Sequence, residues 1–303
     1  MSHNPHHHTP VSGWRLLVTM LLNFAITIAE IIGGIMSGSL SLISDALHNF
    51  SDGLSIVISY AALRLAGRPF SQRHTFGLKR AEIFAAVINA TVLVMISLYL
   101  FYEAVLRWLH PEPVHGQLMT IVALIGLTAN VVGVLLLKKD SAGSLNIKSA
   151  YLHLLSDAVS SVGVILGGLA IYWWDVFWLD PLLTILIGVY IIKESLAILR
   201  EAFHVLMEGA PLHITLEKVK TAVEALKDVN DIHHVHAWTV GENDAHLEAH
   251  INIVDMPVSE TTVLRQRISS ILHDQFGIEH VTLQFECNQC PNVGLIHSGH
   301  HHS

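Results

Sequence analysis

Residues 116–137, GQLMTIVALIGLTANVVGVLLL, run for 22 positions without one Asp, Glu, Lys, Arg or His, and this uninterrupted apolar length decides what kind of fold is possible. A helix crosses the hydrocarbon of a bilayer with about twenty largely apolar residues, because each adds about 1.5 Å along the axis. Working outward, five further stretches meet the requirement, near 14–36, 39–66, 81–107, 149–174 and 178–200. The composition agrees, with 51% apolar and 14% charged residues, far from the balance of a soluble domain. The expectation is an α-helical integral membrane protein with six transmembrane helices. The first span is too long for a signal-peptide core and lacks a small-residue cleavage site, so it is read as a helix.

Basic residues in the short loops set the orientation. Arg64, Arg68, Arg73, Lys79 and Arg80 lie between spans two and three, and Lys138, Lys139 and Lys148 between spans four and five. The other loops carry no Lys or Arg, and Trp173, Trp174 and Trp178 suit an aromatic belt at the outer interface. Both termini are then expected in the cytosol. From Glu208 onward the apolar runs end and acids outnumber bases, thirteen to five. A helix-like run at 215–227, strand-like runs at 232–240 and 246–254, a helix-like run at 259–275 and a strand-like run at 279–286 suit a small α+β, ferredoxin-like domain with its sheet covered on one side. The expected organisation is a tail over 1–13, a transport domain over 14–207, the ferredoxin-like domain over 208–290 and a His-rich tail over 291–303. The net charge of −8 argues against nucleic acid as a partner. His-rich ends are either metal-gathering tails or remnants of tags.

The chemistry is expected inside the membrane. An ionisable residue in a span costs about 2.5–3.5 kcal/mol on insertion scales, so it needs a partner or a function. Span two holds His48 and Asp52, and span five holds His153 and Asp157, in the repeated pattern HNFSD and HLLSD. The i, i+4 spacing puts each His and Asp on one helix face. Two such faces together offer two imidazoles and two carboxylates, a complete tetrahedral set for Zn²⁺ with its charge neutralised. The repeat suggests two related halves with the site between them. Each pair alone could be a hydrogen-bonded link between helices, but two with identical spacing argue for a metal. Asp45 suits either a carboxylate at the mouth of the site or a cap at the interface, Asn23, Asn89 and Asn130 suit interhelical links, and Glu30 has no assigned role. In the tail, His236 and His250 lie on adjacent strand-like runs, and Gln284, Glu286, Cys287 and Cys290 end the last one. A second site of N, O and S ligands at a dimer seam is expected there, with His280 as a further candidate and the C-x-x-C pair either completing it or remaining a dithiol.

Four motifs together resemble the cation diffusion facilitator family, in its bacterial zinc-exporter and vertebrate vesicular branches: GSLSLISDALHNFSDG in span two, RHTFGLKRAE in the next loop, YLHLLSDAVSSVGV in span five, and VHAWTV with EAHINI in the tail. The resemblance covers nearly the whole chain. It implies a homodimer that exports zinc from the cytosol in exchange for protons through His48, Asp52, His153 and Asp157, with His236, His250 and Glu286 as regulatory zinc ligands. Members with Asp where this chain has His48 also carry other metals, so His48 points to Zn²⁺, with Cd²⁺ and Co²⁺ as further candidates. A loop site of some members is matched here only by His74, because Ser71 and Leu78 stand where ligands would be. Arg80 matches half of a charge lock whose partner would be Glu208, or is a surface arginine that follows the positive-inside rule.

Divalent metal, protons and the lipid bilayer are the expected partners, and a cell membrane, of bacterial type given the lack of long insertions, the expected location. An enzyme is not expected: no H-E-x-x-H is present, and four protein ligands leave no open position for a catalytic water. A metal sensor without flux is the alternative, because it would use the same ligands.

Overall fold

The computed structural model describes residues 13–138, 145–241, 244–287 and 294–296, leaving aside the side chains of 13–20, 56, 59, 63 and 145–150. Cys290 and the histidine clusters at 6–8 and 300–302 lie outside the described residues. The expected spans are helices: α1 (Gly13–Ser37), α2 (Leu40–Ala66), α3 (Ala81–Leu109), α4 (Gly116–Leu137), α5 (Leu145–Trp174) and α6 (Leu179–Leu206), the last running past the expected end near 200. Four are long and apolar enough to cross a membrane by composition alone: α3, α4, α5 from Tyr151, and α6. In α2 the polar residues Asp45, His48 and Asp52 dilute the apolar run, and in α1 the described side chains, Leu21–Ser37, form one apolar stretch.

The chain divides into two compact units, residues 1–58 with 88–198, and 59–87 with 199–303. In the first, polarity is inverted relative to a soluble protein. Ile35, Met95, Leu135 and Val159 are each more than 60% exposed, whereas Glu30, Asp45, Asn49, Asn130, Asp157 and Asp180 are all at most 3% exposed. Only an apolar surrounding makes that arrangement stable. The helix α4 packs along both α1 and α5. The fit with α5 is close because Gly116 and Gly168 lack side chains: a Cβ on Gly116 would lie 2.6 Å from the Gly168 carbonyl oxygen.

Asp180, on the first turn of α6, anchors the start of α2. Its carboxylate accepts from Ser39 Oγ (2.6 Å), Ser41 Oγ (2.7 Å), Leu40 N (2.8 Å) and Ser41 N (3.1 Å), and Arg107 of α3 lies 3.9 Å away. An acid at a helix N-terminus satisfies amides that have no intrahelical acceptor and complements the dipole. Here it comes from another helix, 139 or more residues along the chain, so this contact fixes α2 in position as well as capping it.

In the second unit the C-terminal elements are α7 (Leu216–Glu224), β1 (Val229–Thr239), β2 (Ala245–Ile253), α8 (Val258–Phe276) and β3 (Ile278–Glu286). The sheet order is β1-β2-β3, with β1 antiparallel and β3 parallel to β2. Val219 and Val223 of α7 and Leu264, Ile268 and Leu272 of α8 pack with Ile232, Leu247 and Ile251 into one core. Gly277, with φ +67°, takes the left-handed turn that ends α8 and allows β3 to begin at the next residue. The opposite sheet face carries rows of polar residues across the three strands: Asp231–Asn252–Glu286, His233–His250–Gln284, His236–Glu248–Thr282 and Trp238–His246–His280.

Candidate metal centre

The polar turns of α2 and α5 face each other. His48 Nε2 lies 3.6 Å from Asp52 Oδ2 and 3.9 Å from Asp157 Oδ1, while His153 Nε2 lies 3.1 Å from Asp52 Oδ2 and 3.6 Å from Asp157 Oδ2. The imidazole rings stand edge to face at 5.8 Å. His48, His153 and Asp157 present ligand atoms within 4.8 Å of one another, and Asp52, outside that group, stands beside both imidazoles. With Zn–N and Zn–O bonds of about 2.0–2.2 Å, the edge of a ligand tetrahedron is about 3.4 Å, in the middle of the observed separations. Asp157 Oδ2 is buried without a hydrogen-bond partner, and the buried Asp52 Oδ2 and His153 Nε2 have only each other, at 3.1 Å. Buried polar atoms are nearly always satisfied, so atoms this short of partners, converging on one point, mark a place for a cation. The mix of nitrogen and oxygen suits Zn²⁺ and its neighbours rather than Ca²⁺ or Mg²⁺, which prefer six or more oxygens.

Surrounding bonds set this geometry. Ser160 Oγ donates to Asp45 Oδ1 at 2.7 Å, tying α5 to α2 one turn from the centre. Asp45 is only 2% exposed, so it belongs to the interior and not to an interfacial cap. Ser51 Oγ donates to Asn89 Oδ1 at 3.0 Å, so Asn89 does link helices, whereas neither side-chain atom of the buried Asn130 has a partner. Asn49 Nδ2 donates to Glu30 Oε2 at 3.1 Å.

The C-terminal sheet holds a second group, His233, His250 and Glu286. His250 Nδ1 lies 2.6 Å from Glu286 Oε1 and His233 Nε2 3.5 Å from Glu286 Oε2. Burial pushes the Asp231 carboxyl up, but its bonds to Lys220, Glu224 and His233 outweigh this and hold it below the ordinary value. Ionised Asp231 can only accept, so the His233 nitrogen facing it at 2.9 Å, Nδ1, carries a proton, and this bond turns Nε2 towards Glu286. Both His233 Nε2 and Glu286 Oε2 are buried and lack hydrogen-bond partners. A cation between them would satisfy both.

His236, expected among these ligands, is not brought to the group. It is exposed, pairs in register with Glu248, and its ring lies 5.1 Å from that of His234. The reason is a bulge: register slips between His233 and His236, with His234 at φ +51°. The slip keeps Val235 in the core and leaves His233 beside His250. His280 stacks at 4.8 Å on His246, away from the group, and Cys287 is exposed just beyond Glu286. We expect His233→Ala to weaken zinc binding at this site at least tenfold, and His236→Ala to change it by less than about twofold. Calorimetry in an Asp157→Ala background isolates the signal; equal losses in both variants would contradict the assignment.

In the loop before α3, His74 and Ser71 bond each other through their backbones in a turn, and His74 joins no metal-ligand group among the described residues. Arg80 meets Glu208 at 3.4 Å, as in the charge-lock reading. The closer contact is one that sequence reading missed: Lys79 Nζ to Asp244 Oδ2 at 2.6 Å. Desolvation raises Asp244, but the bonds from Lys79 and His246 prevail and hold its carboxyl below the ordinary value, while burial pushes His246 down against the pull of Asp244. Pairing of loop charges with the β1–β2 turn has no periodicity or motif to reveal it.

Residues 16–207 match the family described as the cation efflux transmembrane domain, and residues 211–287 match the cation efflux protein cytoplasmic domain. Similar proteins include zinc transporter ZitB of Pectobacterium atrosepticum, 36% identical over all of this chain and 94% of that protein. Metal cation efflux system protein CzcD of Cupriavidus metallidurans is 35% identical over 94% of this chain and 90% of its own length. A cadmium, cobalt and zinc/H(+)-K(+) antiporter of Bacillus velezensis is 35% identical over 94% and 92%.

Proposed function

From the premise that the chain belongs to the cation efflux (cation diffusion facilitator) family of multi-pass membrane proteins, we propose that it exports zinc from the cytosol in exchange for protons. The observation that carries this reading is the convergence of two His-Asp pairs inside a lipid-facing helix bundle. Two carboxylates neutralise the ion, and two imidazoles add the nitrogen donors that zinc favours. Zinc and protons compete for the same ligand lone pairs, so metal is held on the cytosolic side and proton uptake from a more acidic exterior helps expel it. The cycle is alternating access, with the site exposed to one side at a time. The name of the Bacillus relative, an antiporter of cadmium, cobalt and zinc against protons and potassium, supports ion exchange and adds cadmium and cobalt as substrates to test.

Both termini lie in the cytosol in this reading, supported by the basic loops. The protein works as a homodimer joined through its C-terminal domain, supported by the match to the family's cytoplasmic domain. Zinc at His233, His250 and Glu286 favours the transporting state of the dimer. The protein is a carrier and not an enzyme, because four ligands leave no position for an activated water.

Zinc uptake into proteoliposomes tests the central claim. Uptake should accelerate when the vesicle interior is made acidic relative to the outside. Uptake indifferent to an imposed pH gradient would remove the exchange reading, and zinc binding without any uptake would turn the protein into a metal sensor.

A further inference from the structure

Glu30 on α1 is the buried acid that the metal centre does not use. It is 1% exposed, Oε2 accepts from Asn49 Nδ2 at 3.1 Å, and Oε1 has no partner. The helix α4 makes room for it with Gly126, where any side chain would collide with Oε1, and Ile26, one turn back on α1, borders the same space. The acids whose charge acts on it are Asp45 on α2 and, more weakly, Asp157 on α5. No Lys or Arg pairs with Glu30 among the described residues. Asn130, one turn beyond Gly126 on α4, is a neutral amide.

An ionised carboxylate so placed would be uncompensated in a medium of low dielectric and next to like charges, whereas a protonated one is tolerated. We infer that Glu30 is a proton-carrying residue of the transport cycle, protonated when the metal centre is empty and deprotonated when zinc occupies it. This rests on the proton-exchange reading above and names a group that performs it. Zinc adds two positive charges beside Asp157, which reverses the local field and favours the ionised acid; the Glu30 proton then leaves to the cytosolic solution. When zinc departs outward, the field returns and the carboxylate takes a proton from the exterior. Linkage makes the effect mutual, so a proton on Glu30 weakens zinc binding by the factor with which zinc weakens proton binding. The Asn49 amide supplies the one direct donor that the ionised form needs.

Zinc titration of the detergent-solubilised full chain, in buffers of different ionisation enthalpy, counts protons released per zinc bound. Glu30→Gln should release fewer protons than the native chain, by up to about one per zinc, and its flux in proteoliposomes should gain less from a pH gradient. Should that variant not fold, Asn49→Ala keeps the acid and removes its donor, and the proton-release curve should move to higher pH. Native protein that releases protons while Glu30→Gln releases as many, or an Asn49→Ala curve that does not move, overturns the role of Glu30 alone. A native chain that carries zinc and releases no protons overturns the exchange reading together with it.

Discussion

Proteoliposomes carrying Asp157→Ala should take up zinc no faster than empty vesicles. Asp157 is only 3% exposed and approaches both imidazoles, at 3.9 Å for His48 and 3.6 Å for His153. Removing it takes away one of two carboxylates that neutralise Zn²⁺ and leaves a net positive charge in a buried site. Loss of one member of a buried charged set costs about 3–5 kcal/mol, which is roughly two to four decades in affinity. Asp157→Asn keeps shape and an acceptor oxygen but not the charge, and it should fail nearly as badly. Size-exclusion profiles matching the native protein are the control that ties the loss to chemistry. Native-like uptake by either variant would displace the site from α2 and α5.

Asp180→Ala should have the largest effect on stability. The carboxylate is fully buried and serves four donors, two hydroxyls and two amides, at the start of α2. Each donor left unmet costs about 1–3 kcal/mol. Ser39 and Ser41, already 3.2 Å apart, can satisfy each other in part, so the net loss is about 4 kcal/mol. For a chain of this size that lowers the melting midpoint by on the order of 10 °C. Because α2 carries His48 and Asp52, flux should fall as well. Asp180→Asn, which retains one acceptor oxygen, should fall between the two. A midpoint for Asp180→Ala within about 2 °C of the native value would contradict this account.

What could be read from sequence followed from periodicity and length. The six helices announce themselves because a bilayer demands about twenty apolar residues, and the paired His-x-x-x-Asp stands out because charge is costly in hydrocarbon. The register of the C-terminal sheet was less accessible. Alternation alone cannot tell which of His233, His234 and His236 faces His250, because one inserted residue changes the side every later residue occupies. The HHVH run was the available signal, since several histidines around a β-branched residue sit poorly with simple alternation. Asp180 and Glu30 were opaque for a different reason. Their roles depend on contacts with α2, and nothing local distinguishes a cap supplied by another helix, or an acid held against a glycine, from an ordinary polar residue.

The interior acids also give the bundle an electrical character. Glu30, Asp45, Asp52 and Asp157 stand against two imidazoles, with no lysine or arginine paired to any of them among the described residues. Each of these acids that is ionised in the empty protein is a charge the membrane voltage can act on, worth about 2.3 kcal/mol per 100 mV if carried across the whole membrane. Zinc or protons cancel that charge. Because an exchanger returns with protons in place of zinc, the voltage acts only on the difference between the two loads: two protons returned per zinc make the cycle electroneutral, one leaves it carrying net charge, and the voltage dependence of flux counts them.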